Sequence, residues 1–185
     1  MSNESQDNYL AFYDLESYLF ETVHKRFGRE RSLSAFDFFC IVIWKANRAK
    51  SKIARRLLGH EGVTDLEDAV RKLTCAIAKA DSPRERMRAL MEDWGLLLPM
   101  ASAILTVLYP EEFTIYDYRV AEEVHCPGLG NLCFESLWPK YEAFRQKVCQ
   151  AVPGDLCLRD KDRCLSGKSF CEQLAGDIRR AFGVA

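Results

Sequence analysis

Apolar residues recur along this chain at intervals of three and four rather than two, so the pattern predicts helices from end to end. Leu10, Phe12, Leu15, Tyr18, Leu19 and Val23 share one face of a helix over 8–26, which Gly28 ends. Ser34 is placed to cap a long helix that runs to Leu58 and stops at Gly59. Thr64, with Glu67 three residues on, has the form of a capping box ahead of Leu66, Val70, Leu73 and Ile77. Ser82 then caps a helix that ends at Gly95. Its first position is Pro83, where the missing N–H costs nothing. A buried helix follows from Pro99 to Leu108 and is stopped by Pro110; Asp117 opens the next. Pro127-Gly128-Leu129-Gly130 is a break. A helix over 134–151 turns Leu137, Tyr141, Phe144 and Val148 inward, and Pro153-Gly154 ends it. The last helix, 167–182, carries Phe170, Leu174, Ile178 and Phe182. No alternating strand pattern, internal repeat or low-complexity segment interrupts the series, so the expected fold class is all-α. Residues 1–7 are expected to be a disordered tail.

Composition narrows the reading. With 185 residues, 48% of them hydrophobic, the chain has enough apolar material for a real core and too much for a disordered protein. No apolar run is long enough to span a bilayer, and the polar start MSNESQDN is not a signal peptide. The expectation is a cytoplasmic protein with no membrane partner. A formal net charge of −1 excludes a globally basic protein, so nucleic-acid binding would need a local patch. Between Lys45 and Arg56 the chain carries Lys45, Arg48, Lys50, Lys52, Arg55 and Arg56 with no acid; Arg84, Arg86 and Arg88, tempered by Glu85, form a second cluster. Either run reads equally as a solvated helix face.

Eight cysteines are many for a cytoplasmic chain. None lies in the tight C-x2–4-C pairs of structural zinc, so reduced thiols with no metal and no cofactor are expected. His24, His60 and His125 have no ligand or triad spacing, and there is no Walker loop, G-x-S-x-G or H-E-x-x-H.

The strongest chemical signal is Asp117. An acid in the first turn of a helix sits beside unpaired backbone N–H groups that favour its ionised form. Here it follows the apolar run Phe113-Thr114-Ile115-Tyr116, so the carboxylate is expected at the edge of a core. That makes it a candidate for electrostatic catalysis. On residue physics alone an ordinary N-cap explains it as well.

The stretch Gly95–Val124, GLLLPMASAILTVLYPEEFTIYDYRVAEEV, resembles the signature of the helix-hairpin-helix DNA glycosylases. Gly95 matches the first hairpin glycine and Ala101 the alanine after it. Ala103, Ile104, Leu105 and Leu108 fill the apolar helix, and Phe113, Ile115, Asp117 and Val120 match the closing segment. Sixteen residues separate Ala101 from Asp117, which fits the family without a gap. A second stretch, Phe36–Asn47, resembles the family's upstream helix, with Asn47 where relatives carry the glutamine that enters the DNA stack. The chain also departs from the pattern. Leu97 replaces the second hairpin glycine, Met100 a threonine and Glu122 an arginine. Pro99 stands where bifunctional members carry a lysine nucleophile. Cys126-x6-Cys133 alone echoes the iron–sulfur loop of many relatives.

The resemblance implies a two-lobed helical protein with a helix-hairpin-helix element and a cleft between the lobes. One lobe would be 34–126 and the other 8–33 plus 127–185, the whole a single unit over 8–185. It implies a monofunctional DNA glycosylase acting on duplex DNA without a Schiff base, in repair or in defence against modified phage DNA; a monomer is the default expectation, since nothing in the sequence reads out the oligomeric state. Asp117 would stabilise an oxocarbenium-like transition state. Asn47, Tyr116, Tyr118 and Trp44 are the candidates for filling the stack or holding the extruded base. Lys45, Arg48, Lys50, Lys52 and Arg119, with the hairpin residues Gly95, Met100, Ala101 and Ser102, are the candidates for phosphate contact. Two other readings stay open: a DNA-binding module with no chemistry, and a helical interaction protein.

Overall fold

In the computed structural model, which describes Tyr9 and residues 12–183, the chain is all-α, and no strand occurs among the described residues. Contacts divide it into two compact units, Met1–Tyr109 and Pro110–Ala185. This partition differs from the lobes 34–126 and 8–33 plus 127–185.

The first unit begins with α1, over 15–30, whose middle turns Tyr18–Val23 are π-helical. Gly28 lies inside α1; the helix ends instead at Arg31, which adopts the left-handed conformation at φ 56°. The expected 1–7 tail and Leu10 lie outside the described residues. Ser34 caps α2, Ala35–Ala46, by accepting from the Asp37 N–H at 3.2 Å. The single long helix expected up to Leu58 is two. At Ala46 the backbone leaves the helical region (φ −161°, ψ 86°), a 3-10 turn takes Asn47–Ala49, and α3 runs Lys50–Leu58. The cap of α4, Leu66–Lys79, is Asp65 rather than Thr64. The Asp65 carboxylate accepts from the Asp68 N–H at 2.8 Å, while Asp68 accepts from the Thr64 N–H at 3.2 Å. Glu67 is thereby free of capping duty and accepts from the Ala35 N–H at 2.9 Å. Ser82 and Pro83 open α5 as expected, over Pro83–Arg88 and a π-helical end Ala89–Asp93. After Gly95 comes α6, Leu98–Leu108, which is buried at every position but Pro99 and forms the centre of this unit with Phe38, Ile41 and Val42 of α2.

In the second unit, the buried, non-helical segment Phe113–Tyr116 leads into α7, Tyr118–Glu123. The fully buried Tyr141 of α8, Phe134–Ala151, fixes that segment. Its hydroxyl accepts from the Thr114 N–H at 3.2 Å and donates to the Thr114 carbonyl at 2.6 Å. Leu137, Tyr141, Phe144 and Val148 all point inward, as their spacing predicts. The last helix, α9, is Leu158–Phe182, nine residues longer at its start than expected. Its cap is Cys157, whose Sγ accepts from the Asp160 N–H, a role the thiol's spacing did not signal. Only Lys161, Asp162, Leu165 and Ser169 of α9 are buried. No described helix is long and apolar enough to cross a membrane.

Candidate nucleic-acid interface

Two stretches of the first unit that are far apart in sequence meet in space. Lys45, Ala46, Ala49, Lys52, Ile53 and Arg56 form one wall of a cavity of about 210 Å³, and Gly95–Leu97, Pro99 and Met100 form the other. The floor is apolar and the rim carries three cations. The break at Ala46–Ala49 creates this wall. It turns α3 so that Ile53 and Leu57 are buried while Lys52 and Arg56, one turn apart, stay exposed.

Gly95 explains the fit at the other wall. Its φ is +62°, a conformation that L side chains rarely adopt. Here the chain leaves α5, with the Trp94 N–H returning to the Ala89 carbonyl at 3.0 Å and the Leu96 N–H to Leu90 at 2.8 Å. An added Cβ would stand 2.7 Å from Nη1 of Arg56. The glycine therefore makes the turn and leaves room for the guanidinium. Trp94, just before it, is buried and stacks on His60 with centroids 3.9 Å apart.

The turn itself differs from a phosphate cradle. The Met100 and Ala101 N–H groups both donate to the Leu97 carbonyl, at 2.9 and 3.0 Å, and Pro99 has no N–H. The side chains of Met100, Ala101 and Ser102 are buried, and the Ser102 hydroxyl donates to the Pro99 carbonyl at 3.3 Å. Leu97, standing for the second hairpin glycine, is 62% exposed at the cavity mouth. Any anion held here meets side-chain cations over an apolar floor rather than a nest of backbone donors.

The remaining candidates of the first unit lie near this cavity without lining it. Asn47 and Arg48 are exposed in the 3-10 turn whose flanks, Ala46 and Ala49, do line it; Lys50 is exposed at the start of α3. Trp44 is half-buried, its ring edge-on to Phe20 at 5.8 Å. Arg56 belongs to the basic run, yet sequence spacing did not single it out. The signal available was its one-turn offset from Lys52.

In the second unit Asp117 is half-buried and is the N-cap of α7, its carboxylate accepting from the Arg119 N–H at 3.1 Å. Tyr116 is buried. Its hydroxyl donates to the Cys126 carbonyl and accepts from the Leu129 N–H, both at 3.0 Å, so it pins the 126–129 turn. Tyr118 is exposed, with the Arg119 guanidinium 5.2 Å from its ring centre. The Arg119 Nε is buried and makes no hydrogen bond among the described residues. Among the described residues no cluster of His, Cys, Asp and Glu could hold a metal ion. No protein-family model, curated protein or solved structure matches this chain.

Proposed function

We propose that this chain is a DNA-binding protein of the glycosylase type, which hydrolyses the N-glycosidic bond of a damaged or modified base and leaves an abasic site. The observation that carries the reading is the cavity of the first unit. The basic run and the hairpin-like segment, far apart in sequence, share one cation-rimmed wall pair. Lys45, Lys52 and Arg56 supply charge for backbone phosphates, and the apolar floor takes the uncharged part of a nucleotide. Asp117 is the carboxylate for the chemistry. It stabilises positive charge developing on the sugar and orients the attacking water. Pro99 supplies no amine, so strand cleavage through a Schiff base is not expected.

A second reading has its own support. The carboxylate of Asp117 is already employed as a helix cap, which suits a scaffold that binds DNA without cutting a bond. The substitution Asp117→Asn separates the two, because asparagine caps a helix about as well as aspartate and carries no charge. Native protein and the variant are to be compared for base release from duplexes holding uracil, oxidised, alkylated or phage-type modified bases, with strand breakage scored before and after hot alkali. Release that falls about a hundredfold or more in the variant, with breakage only after alkali, is the expected result. Undiminished release by Asp117→Asn would remove Asp117 from the mechanism. DNA binding with no release from any substrate would establish the binding module.

A further inference from the structure

Lys161, near the start of α9, is only 9% exposed. An ammonium so deeply buried usually meets a carboxylate. Among the described residues Lys161 makes no ion pair; the acid beside it, Asp162, is paired with Arg159. The Lys161 Nζ instead donates to the Cys149 carbonyl at 2.7 Å and lies 4.0 Å from the Cys149 Sγ. That carbonyl belongs to the last turn of α8, where carbonyls have no partner within the helix. The lysine thus satisfies an open acceptor and stands where a cation suits the helix dipole. Both residues belong to the second unit, twelve residues apart across the connection from α8 to α9.

Cys149 is exposed, so an oxidant reaches it from water while the buried amine stands on the protein side. The other exposed cysteines are placed differently. The Cys133 Sγ faces the Ser136 hydroxyl at 3.4 Å, and the Cys157 Sγ faces the Asp160 carboxylate at 3.2 Å. Among the described residues no lysine nitrogen lies within hydrogen-bond distance of either sulfur, nor of Cys164 or Cys171. Hydrogen peroxide converts an accessible thiol to a sulfenic acid: its O–O bond breaks, the sulfur gains a hydroxyl and water leaves. An amine beside that sulfenic acid opens a second step. The ammonium gives one proton to water, and the Nζ lone pair attacks Sγ. An S–N bond forms as the S–O bond breaks, and the hydroxyl leaves as water with a second proton from the nitrogen. The peroxide is the only oxidant required. To reach the sulfur, Nζ gives up one carbonyl and breaks no ion pair.

We propose that Cys149 and Lys161 form a peroxide-responsive modification site, in which the lysine captures the oxidised sulfur as a sulfenamide. The link ties the end of α8 to the start of α9 and is reopened by thiols. It also stops the sulfur from passing on to the irreversible sulfinic acid. The inference stands apart from the proposed DNA chemistry, and its test uses no DNA.

The full reduced chain, freed of reductant, is to be treated with equimolar hydrogen peroxide, digested with trypsin without reduction and mapped by mass spectrometry. The expected product joins Cys149 to Lys161 with the loss of two hydrogens, and trypsin no longer cuts after Lys161. Dithiothreitol should restore both the free thiol and the cut. Lys161→Arg keeps a cation and a donor for the Cys149 carbonyl but offers a poor nucleophile. In that variant the joined peptide should be lost, and excess peroxide should carry Cys149 on to sulfinic acid. Cys149→Ser, at an exposed position, should abolish the link with Lys161 left in place, which keeps the test intact if circular dichroism shows Lys161→Arg to be misfolded. Cys149 recovered only as sulfinic acid or in a disulfide, with Lys161 cleaved normally, overturns the proposal. So does a link that falls on Cys157 or Cys164, or one that persists in Cys149→Ser. A joined peptide that retains the oxygen overturns the S–N step. Equal sulfinic acid in the native chain and in folded Lys161→Arg overturns the protection of the sulfur.

Discussion

Gly95 joins backbone geometry to charge placement at one residue. Its positive φ ends α5, and the space where a Cβ would project is taken by Arg56, a rim cation of the cavity. Gly95→Ala should therefore act twice. The left-handed conformation of a non-glycine residue costs about 1–2 kcal/mol, visible as a lower urea midpoint with an unchanged slope. The methyl group also displaces the guanidinium, so DNA affinity should fall as well. Adding Arg56→Ala relieves the clash but not the strained φ, so the stability loss should persist in the double variant; full recovery of the midpoint would show that the clash alone was responsible. Asp37 is the other residue whose role lies in its surroundings. It is fully buried in the first turn of α2, accepts from the Tyr18 hydroxyl at 2.7 Å and pairs with Arg26, so it ties α1 to α2. The sequence showed an acid inside an apolar helix; its partners lie 19 and 11 residues upstream, beyond any periodicity argument.

At the scale of elements, what the sequence made legible was the local physics. Ser34 and Ser82 cap as read, Pro83 opens α5, Asp117 opens α7, and the inward face of α8 follows its spacing. The failures have physical causes. No glycine or proline marks the break at Ala46–Ala49; Asn47, a turn-favouring residue between good helix formers, is its only local signal. Thr64 and Asp65 are both cap formers one residue apart, and the carboxylate wins the Asp68 N–H. Gly28 sits inside α1 because an isolated glycine costs a helix only about 1 kcal/mol. The broken helix matters most for the site, since it aims Lys52 and Arg56 outward beside Gly95. Replacing both by glutamate should leave helix content intact, because both are exposed while the buried face of α3, Ile53 and Leu57, is untouched. Duplex binding measured against salt should weaken uniformly across sequences, and the slope of log affinity against log salt should shrink by about 2, near 0.9 per lost phosphate contact. An unchanged slope would place the DNA elsewhere on the protein.

For the whole molecule, each unit hides an ionisable hydroxyl or thiol whose proton the fold retains. In the first unit, burial and the neighbouring Asp37 carboxylate push Tyr18 from 10.0 up to about 12, and burial followed by the charge of Asp37 pushes Cys40 from 9.0 to about 11. In the second unit, burial raises Tyr141 as well, against the opposing effect of its bond to Thr114. All three are raised relative to the unfolded chain, so all three act in one direction. Their contribution is complete below the unfolded values and is lost as pH climbs through the folded ones. Unfolding free energy should therefore hold steady from neutral pH to about 9, then fall, with the Tyr18 share disappearing between 10 and about 12. The comparison that isolates it is Tyr18→Phe, which keeps the ring in the core and removes the titrating group. The variant should start lower at neutral pH, because the buried Asp37 loses one of its two side-chain donors, and its stability should then decline less steeply above pH 10. Parallel curves for the two proteins across that range, from urea denaturation at each pH, would mean that the Tyr18 proton is not held by the fold, and the Asp37 pairing would lose its claim to stabilise the junction of α1 and α2.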